Sequence, residues 1–217
     1  MSGTQELFDA IGSAGDMLLR DVPDFDVDEF ARLLGPRIVQ TSGKNYAFAM
    51  HKEDPTDCSD RTEYFDWHSD GLYHATPPRF VLLHCLDPGH GQVNTELADV
   101  KVVLAAMSPN SLRTLSKLHS HYVGHGGRFS HPILTGGGML LASRGHVTAP
   151  DLYLDQTPSI REIVEALTGL YQRLDDDAVP YKWEKGGTLI FDQRKFMHRR
   201  NSAVIDRDRK LIRMWFN

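Results

Sequence analysis

Two histidines and an aspartate that lie far apart in the chain constrain its fold more than any other feature. His68 and Asp70 are separated by one residue, and His198 follows 128 residues after Asp70. Two imidazoles and one carboxylate bind one face of a cation such as Fe(II) and leave the opposite face open for other ligands. A structural zinc site would have four ligands and would favour thiolates, but Cys58 and Cys85 are far apart and neither forms a CxxC pair. The fold must therefore bring two distant segments to one pocket.

Length, charge and composition limit the class of protein. The chain has 217 residues, 41% hydrophobic and 24% charged, which is typical of one globular domain over residues 1–217. A net charge of -5 and the lack of a long Lys/Arg run argue against a nucleic-acid partner. No signal-like N-terminus and no apolar run of about 20 residues occurs, so we expect a cytoplasmic protein without a membrane partner. The sequence leaves the oligomeric state open, a homo-oligomer included.

Apolar spacing and turn signals predict strands on both sides of a helical middle. Strands are expected over residues 17–19, 46–50, 80–86, 139–142, 181–183, 188–191 and 210–216. Helices are expected around residues 7–11, over 26–34, over 97–118 with a break at Ser108-Pro109, and from Thr157-Pro158 to residues 175–177, where Thr157 would be the N-cap. The glycine-rich stretch 119–138 is expected to form a mobile loop that leads into a hairpin near residues 139–142.

This order of elements predicts a sheet sandwich. His68 and His198 fall on or beside different strands, and a sandwich brings such strands to one pocket. The fold class that fits is mainly β with flanking helices, a double-stranded β-helix or jelly roll. A doubly wound α/β fold fits less well because strands and helices do not alternate regularly and no GxGxxG follows a strand.

Several motifs of the chain resemble one enzyme family. They are Trp67-His68-Ser69-Asp70-Gly71-Leu72-Tyr73, Thr95, Gly186-Gly187-Thr188-Leu189-Ile190-Phe191-Asp192, His198 and Arg209-Lys210-Leu211-Ile212-Arg213. Together they resemble the taurine-dioxygenase-like (TauD/TfdA) family of Fe(II)/2-oxoglutarate oxygenases. In that family the HxD pair and a distal histidine bind iron, so the resemblance implies that His68, Asp70 and His198 are the metal ligands.

The resemblance also implies residues for the cosubstrate and the substrate. In the family, a threonine about 25 residues after the aspartate and an arginine about 11 after the distal histidine hold the distal carboxylate of 2-oxoglutarate. Thr95 and Arg209 stand at these spacings. A planar guanidinium suits this role because it grips a carboxylate with two parallel hydrogen bonds. Thr95 has a second interpretation as a helix cap, compatible with the first. Arg213 is the second arginine of the Arg209-x3-Arg213 motif, and in the family this arginine would face the substrate.

The resemblance implies an Fe(II)/2-oxoglutarate-dependent dioxygenase that uses O2 to oxidise an unactivated C–H bond of a small molecule, with release of succinate and CO2. Related halogenases have a small residue at the position of Asp70, so hydroxylation, desaturation or ring closure is favoured over chlorination. Arg213 suits an anionic group and Tyr73 an apolar part, which favours an anionic, amino-acid-like or natural-product substrate.

Two other protein classes and a second histidine group remain as alternatives. The classes are a cupin-like metal dioxygenase without 2-oxoglutarate and a non-catalytic jelly-roll binding protein. The second group is His119, His121, His125 and His131, which contains the HxH element of a cupin site but lacks the glutamate expected after it. We expect these histidines to be exposed or to line a pocket. His84 alternates within an apolar strand and is expected to be a hydrogen-bonded core residue.

Overall fold

The structure is a computed structural model that describes residues 16–19, 32, 38–39, 46–50, 65–90, 93–124, 127–143, 158–201 and 207–217. Its strands are β1 Asp16–Leu19, β2 Tyr46–Met50, β3 Phe65–His68, β4 Phe80–Asp87, β5 Thr95–Asp99, β6 His119–Gly124, β7 Gly127–Pro132, β8 Val179–Tyr181, β9 Thr188–Asp192, β10 Phe196–Arg200 and β11 Lys210–Phe216. Its helices are α1 Val100–Ala105, α2 Pro109–Lys117 and α3 Ile160–Asp176. None of the helices in this part of the chain has the length and hydropathy needed to cross a bilayer.

The strands form two larger antiparallel sheets and a hairpin. The first sheet has the order β1-β9-β4-β11-β2, the second β3-β10-β5-β8, and β6 pairs only with β7. Strands that neighbour each other in space are distant in sequence, which is the arrangement of a jelly roll. The predicted fold class, mainly β with flanking helices, is therefore confirmed.

An apolar core joins the two sheets. Every second residue of β4 points into it, so Val81, Leu83 and Cys85 are all buried there. From the five-stranded sheet, this core also contains Leu189, Phe191, Leu211 and Trp215. From the side of the four-stranded sheet, it contains Tyr181, Trp183 and Phe196. Large aromatic side chains thus fill the layer next to the site described below.

A second apolar core lies between the four-stranded sheet and the helices. Trp67 of β3 and Met197 of β10 pack there with Leu115 of α2 and with Leu170 and Leu174 of α3. All five side chains are almost fully buried, and burial of one leucine contributes about 1.5–3 kcal/mol. Because neighbouring residues of a strand point to opposite faces, the residues that follow Trp67 and Met197 point between the sheets.

The helix boundaries confirm part of the prediction. The break at Ser108-Pro109 is present, since the Ser108 side chain accepts a hydrogen bond from the backbone N–H of Ser111 and Pro109 occupies the first helical position. Residues 97–99, however, are strand and not helix because they pair with β10. The two helices expected near the N-terminus lie, apart from Arg32, outside the described residues.

Three predictions about the second half of the chain differ from the structure. The N-cap of α3 is Ser159, which forms a capping box with Glu162, and the predicted cap Thr157 lies outside the described residues. Most of the stretch 119–138 is a β-hairpin and not the expected mobile loop, since β6 and β7 pair from His119–Pro132 to Gly124–Gly127. The hairpin expected near residues 139–142 is a single bridge between Leu134 and Leu140.

Candidate active site

The structure brings His68, Asp70 and His198 together at the inner face of the four-stranded sheet. His68 ends β3, directly opposite His198 in the neighbouring strand β10, and Asp70 follows on the next turn. Potential ligand atoms of the three residues all lie within 4.8 Å of one another. His68 Nε2 is 3.6 Å from Asp70 Oδ1, and His198 Nε2 is 3.9 Å from Asp70 Oδ2. This is a compact group that could hold one metal ion.

The turn after β3 is held in place by the side chain of Gln193. Its Oε1 accepts a hydrogen bond from the Asp70 backbone N–H at 2.9 Å, and its Nε2 donates to the Asp70 carbonyl at 3.1 Å and to the Pro78 carbonyl. Gly71, with φ of 70°, allows the chain to turn at this point. The backbone that carries Asp70 is therefore fixed from β9, which Gln193 directly follows.

Two residues of β11 reach across from the other sheet to the carboxylate of Asp70. Arg213 Nη1 donates to Oδ1 at 3.3 Å, and Trp215 Nε1 donates to Oδ2 at 3.0 Å. Burial by itself raises the pKa of Asp70, but the charges of Arg213, His198 and His68 and the Trp215 hydrogen bond outweigh it and lower the pKa to about 2. Asp70 is therefore ionised at neutral pH.

The two histidines are neutral at neutral pH. Burial, followed by the neighbouring charge of His198, lowers the pKa of His68 well below its usual value, although Asp70 opposes this. Burial likewise lowers the pKa of His198. Neutral imidazoles and an ionised carboxylate are the forms that bind metal ions. The donor set therefore fits a divalent metal without prior loss of protons.

The ring orientation of His68 also suits metal binding. His68 Nδ1 lies 2.7 Å from the Asp66 carbonyl oxygen, so Nδ1 carries the proton and donates it, which leaves Nε2 as the ligand atom. His198 Nδ1 is buried and has no hydrogen-bond partner among the described residues. Its ring lies 4.9 Å from that of Phe191 on the opposite sheet, which places His198 between the sheets.

Thr95 and Arg209 are both buried near the core between the two sheets. Thr95 begins β5 opposite Arg200 of β10, and its hydroxyl accepts a hydrogen bond from Trp183 Nε1 at 3.1 Å. Arg209 directly precedes β11 and is only 6% exposed. The suggested cap role of Thr95 is wrong because Asp99 caps α1 through the backbone N–H groups of Lys101 and Val102.

Tyr73 and Arg213 both lie beside Trp215. The Tyr73 ring is half-buried, with its centroid 5.8 Å from that of Trp215 and 4.9 Å from that of His74. The Arg213 guanidinium stacks over the Trp215 ring at 4.6 Å. Arg213 is thus close to a predicted metal ligand, a contact that the sequence did not indicate.

The other histidines behave largely as expected. His84 is buried in β4 with its Nδ1 2.8 Å from the Thr188 hydroxyl, which confirms the core interpretation. His119 and His121 are exposed on β6, whereas His131 is buried and its Nε2 contacts the carbonyls at positions 72 and 74. Among the described residues, the only group that could hold a metal is His68, Asp70 and His198; His125 lies outside them.

Sequence reasoning missed three residues that support the site: Gln193, Trp183 and Trp215. One signal was available for Trp215, because residues 209, 211, 213 and 215 share one face of a strand, so an inward Arg213 implies an inward Trp215. Nothing in the local sequence marks Gln193 or Trp183, since both act on residues about 90–120 positions away.

One family of known proteins matches nearly the whole chain. The model of a family described as taurine catabolism dioxygenase TauD, TfdA family, matches residues 2–215. A search of curated proteins gives no match.

Three solved structures share the fold at low sequence identity. Asparagine oxygenase in complex with Fe(II), 3-hydroxyasparagine and succinate has a TM-score of 0.76 at 18% identity, covering 98% of this chain and 78% of that one. PvcB from Pseudomonas aeruginosa has a TM-score of 0.73 at 20% identity, with coverage of 100% and 80%. The non-heme iron oxygenase OrfP with Fe, succinate and (3S)-hydroxy-L-Arg has a TM-score of 0.75 at 15% identity, with coverage of 100% and 81%.

Proposed function

The chain belongs to the TauD/TfdA family of Fe(II)/2-oxoglutarate-dependent dioxygenases, and from this we propose that it hydroxylates an unactivated C–H bond of a small, amino-acid-like substrate. The observation that carries the proposal is the group His68, Asp70 and His198, whose ligand atoms lie within 4.8 Å of one another. The alternatives of a cupin-like enzyme without 2-oxoglutarate and of a non-catalytic binding protein are set aside because the family match spans residues 2–215.

His68, Asp70 and His198 would hold the metal. Iron bound there would supply the activation of O2, coupled to conversion of 2-oxoglutarate to succinate and CO2. The chain contributes two neutral imidazoles and one ionised carboxylate, and these donors leave room for other ligands. Asp70 supports hydroxylation, or desaturation or ring closure, over chlorination because a carboxylate occupies the position that a halide would need.

Arg209 and Thr95 would bind 2-oxoglutarate. A buried guanidinium presents several N–H donors in a fixed planar arrangement, and this arrangement suits a carboxylate of a dicarboxylate cosubstrate. Arg209 would grip the distal carboxylate, and the Thr95 hydroxyl, which accepts from Trp183 Nε1, would keep its own proton to donate to the same group. Trp183 thus orients Thr95 for this role.

Arg213 and Tyr73 would contact the substrate. Arg213 lies beside Asp70, so an anionic group bound to Arg213 would be held close to the reacting centre. Tyr73 would pack against an apolar part of the same molecule. An amino-acid-like substrate is favoured because the structural neighbours include an asparagine oxygenase with 3-hydroxyasparagine and an oxygenase with (3S)-hydroxy-L-Arg.

An anaerobic titration tests the metal and cosubstrate assignments. Apoprotein is titrated with Fe(II) and then with 2-oxoglutarate, and we expect the weak visible charge-transfer band of the complex between the two. The band should be lost in His198→Ala because one ligand is removed. A folded His198→Ala protein with wild-type iron affinity would contradict the assignment of this site.

A substrate screen tests the reaction. The iron-loaded protein is incubated with O2, 2-oxoglutarate and one compound at a time from a panel of L-amino acids and their derivatives. The release of succinate and the change in the mass of the compound are both measured. A gain of one oxygen atom is expected for hydroxylation, whereas a loss of two hydrogens would indicate desaturation or ring closure. If succinate were released only with molecules that lack a carboxylate or other anionic group, the role of Arg213 would be overturned.

A further inference from the structure

We propose that Trp215 is a positioning residue for the metal centre: its indole N–H orients the carboxylate of Asp70 for metal binding. The inference rests on the proposed iron site. Trp215 Nε1 lies 3.0 Å from Asp70 Oδ2, and the two side chains are 0% and 4% exposed. A hydrogen bond shielded from water in this way restricts rotation of the carboxylate more strongly than an exposed one.

The two donors of β11 hold the two oxygens of one carboxylate. Arg213 and Trp215 are two residues apart on one strand, so both point to the same face, and each contacts a different oxygen of Asp70. A carboxylate has about four lone-pair sites, so one bond to each oxygen leaves others for a metal. Each oxygen also lies near a histidine nitrogen, Oδ1 at 3.6 Å from His68 Nε2 and Oδ2 at 3.9 Å from His198 Nε2.

The two donors differ in what else they can do. Arg213 carries a charge and can turn toward an anionic substrate, whereas the indole of Trp215 is neutral, has one N–H and cannot accept a hydrogen bond. Trp215 is also fixed in the apolar core between the sheets with Leu211, Phe191 and Trp183. Trp215 therefore has a single polar contact to offer, and that contact is made to Asp70.

The test is the Fe(II) affinity of Trp215→Phe. Loss of an outer hydrogen-bond partner of a metal ligand typically weakens metal affinity ten- to hundredfold, and we expect the dissociation constant for Fe(II), measured anaerobically by competition with a chromophoric chelator, to rise by roughly this factor. Thermal unfolding of the apoprotein is measured in parallel to establish that the variant is folded.

Trp67→Phe is the matched control. Trp67 is also a fully buried tryptophan whose indole N–H donates to a carboxylate, Asp175 Oδ1 at 2.8 Å, but on the helix-facing side of the sheet. It loses the same kind of contact, so it should lower the unfolding temperature in a similar way without changing the Fe(II) dissociation constant. An equal loss of affinity in both variants would mean a general packing effect and would overturn the proposal.

A second variant keeps the test decisive if Trp215→Phe does not fold. Replacement of residue 215 by the benzothiophene analogue of tryptophan preserves the ring shape and removes only the N–H. Wild-type Fe(II) affinity in either folded variant, with loss of binding in His198→Ala, overturns the role of Trp215 alone. Wild-type affinity in His198→Ala as well overturns the iron site itself, and with it this inference.

Discussion

At the scale of single residues, burial determines what each polar group of the site can do. Arg209 is 6% exposed and lies close enough to Cys85 for its charge to act on the thiol. A guanidinium in such a position is oriented by the surrounding core, and it recognises a carboxylate by geometry as well as by charge. The same core excludes water from Cys85, and this disfavours the charged thiolate form.

Arg209→Lys should weaken 2-oxoglutarate binding while leaving Fe(II) binding intact. A lysine keeps the charge but loses the two-pronged grip, and hydrogen bonds to charged groups contribute about 1.5–3 kcal/mol, so we expect KM for 2-oxoglutarate to rise roughly ten- to hundredfold. Arg207→Lys, the same change at an exposed neighbour, is the control. An unchanged KM in Arg209→Lys would move the cosubstrate anchor to Arg213.

Cys85 should be a poor nucleophile in the folded protein. Burial raises its pKa from 9.0 to about 11, even though Arg209 opposes the shift. The thiol is therefore protonated below pH 11, and at pH 8 its thiolate fraction is roughly a hundredfold below that of an ordinary cysteine. In a Cys58→Ser background, the rate of iodoacetamide labelling should rise tenfold per pH unit from pH 8 to 10.

The guanidinium-unfolded protein provides the comparison for this measurement. In the unfolded chain the labelling rate should level off near the usual pKa of a thiol. Levelling at the same pH in the folded protein would show that Cys85 is not shielded in the core between the sheets.

At the scale of elements, the turn between β3 and β4 determines where Asp70 points. Gly71 adopts φ of 70°, and a Cβ at this position would lie inside van der Waals contact with Pro78 Cδ. Gln193 fixes the same turn through hydrogen bonds to Asp70 and Pro78. The turn therefore has a required backbone conformation and no room for a larger residue.

Gly71→Ala should destabilise the protein more than Gly138→Ala. Both glycines have positive φ, 70° and 77°, but a Cβ at Gly138 would meet nothing within 4 Å. We expect Gly138→Ala to lower the free energy of unfolding by about 1–2 kcal/mol through backbone strain alone, and Gly71→Ala by about 2–5 kcal/mol because overpacking is added. Urea unfolding measures both values, and equal losses would contradict the steric argument.

At the scale of the whole molecule, a charged network connects the helical layer to the strand that carries His198. Arg199 of β10 pairs with Glu96 of β5 at 2.5 Å and with Asp175 of α3, and its guanidinium stacks over the Trp67 ring at 4.5 Å. Trp67 also donates to Asp175. Since His198 and Arg199 point to opposite faces, this network joins β10 to the helical layer on the face that points away from the site.

Arg199→Leu should therefore reduce global stability. Removal of one partner leaves the Glu96 carboxylate largely buried without its cation, and we expect the free energy of unfolding to fall by about 3 kcal/mol. Arg161→Leu removes an exposed i,i+4 pair with Glu165 and should change it by nothing measurable. Similar effects of the two variants in urea unfolding would show that the network is not a link between the layers.

The local sequence was sufficient to predict some helices and strands but not others. The helix break at Ser108-Pro109 was predicted because a cap and a first-turn proline act within a few residues. The capping box of Ser159 and Glu162 is equally local, since its two side chains lie three residues apart, but the Thr157-Pro158 pair upstream carries a similar cap signal. The hairpin of β6 and β7 was missed because its glycines and polar residues lack an apolar period, and its stability comes from pairing between the strands.

The sequence by itself determined the family, the jelly-roll fold and the set of residues to consider, because ligand spacing and alternating apolar strands are properties of the chain. It also pointed to His68, Asp70 and His198, which the structure brings together and whose role as ligands stays a prediction. Only the tertiary structure decided that Arg213 and Trp215 grip Asp70. These contacts join β11 to the turn after β3, between residues 143 and 145 positions apart, and their geometry depends on how the two sheets pack.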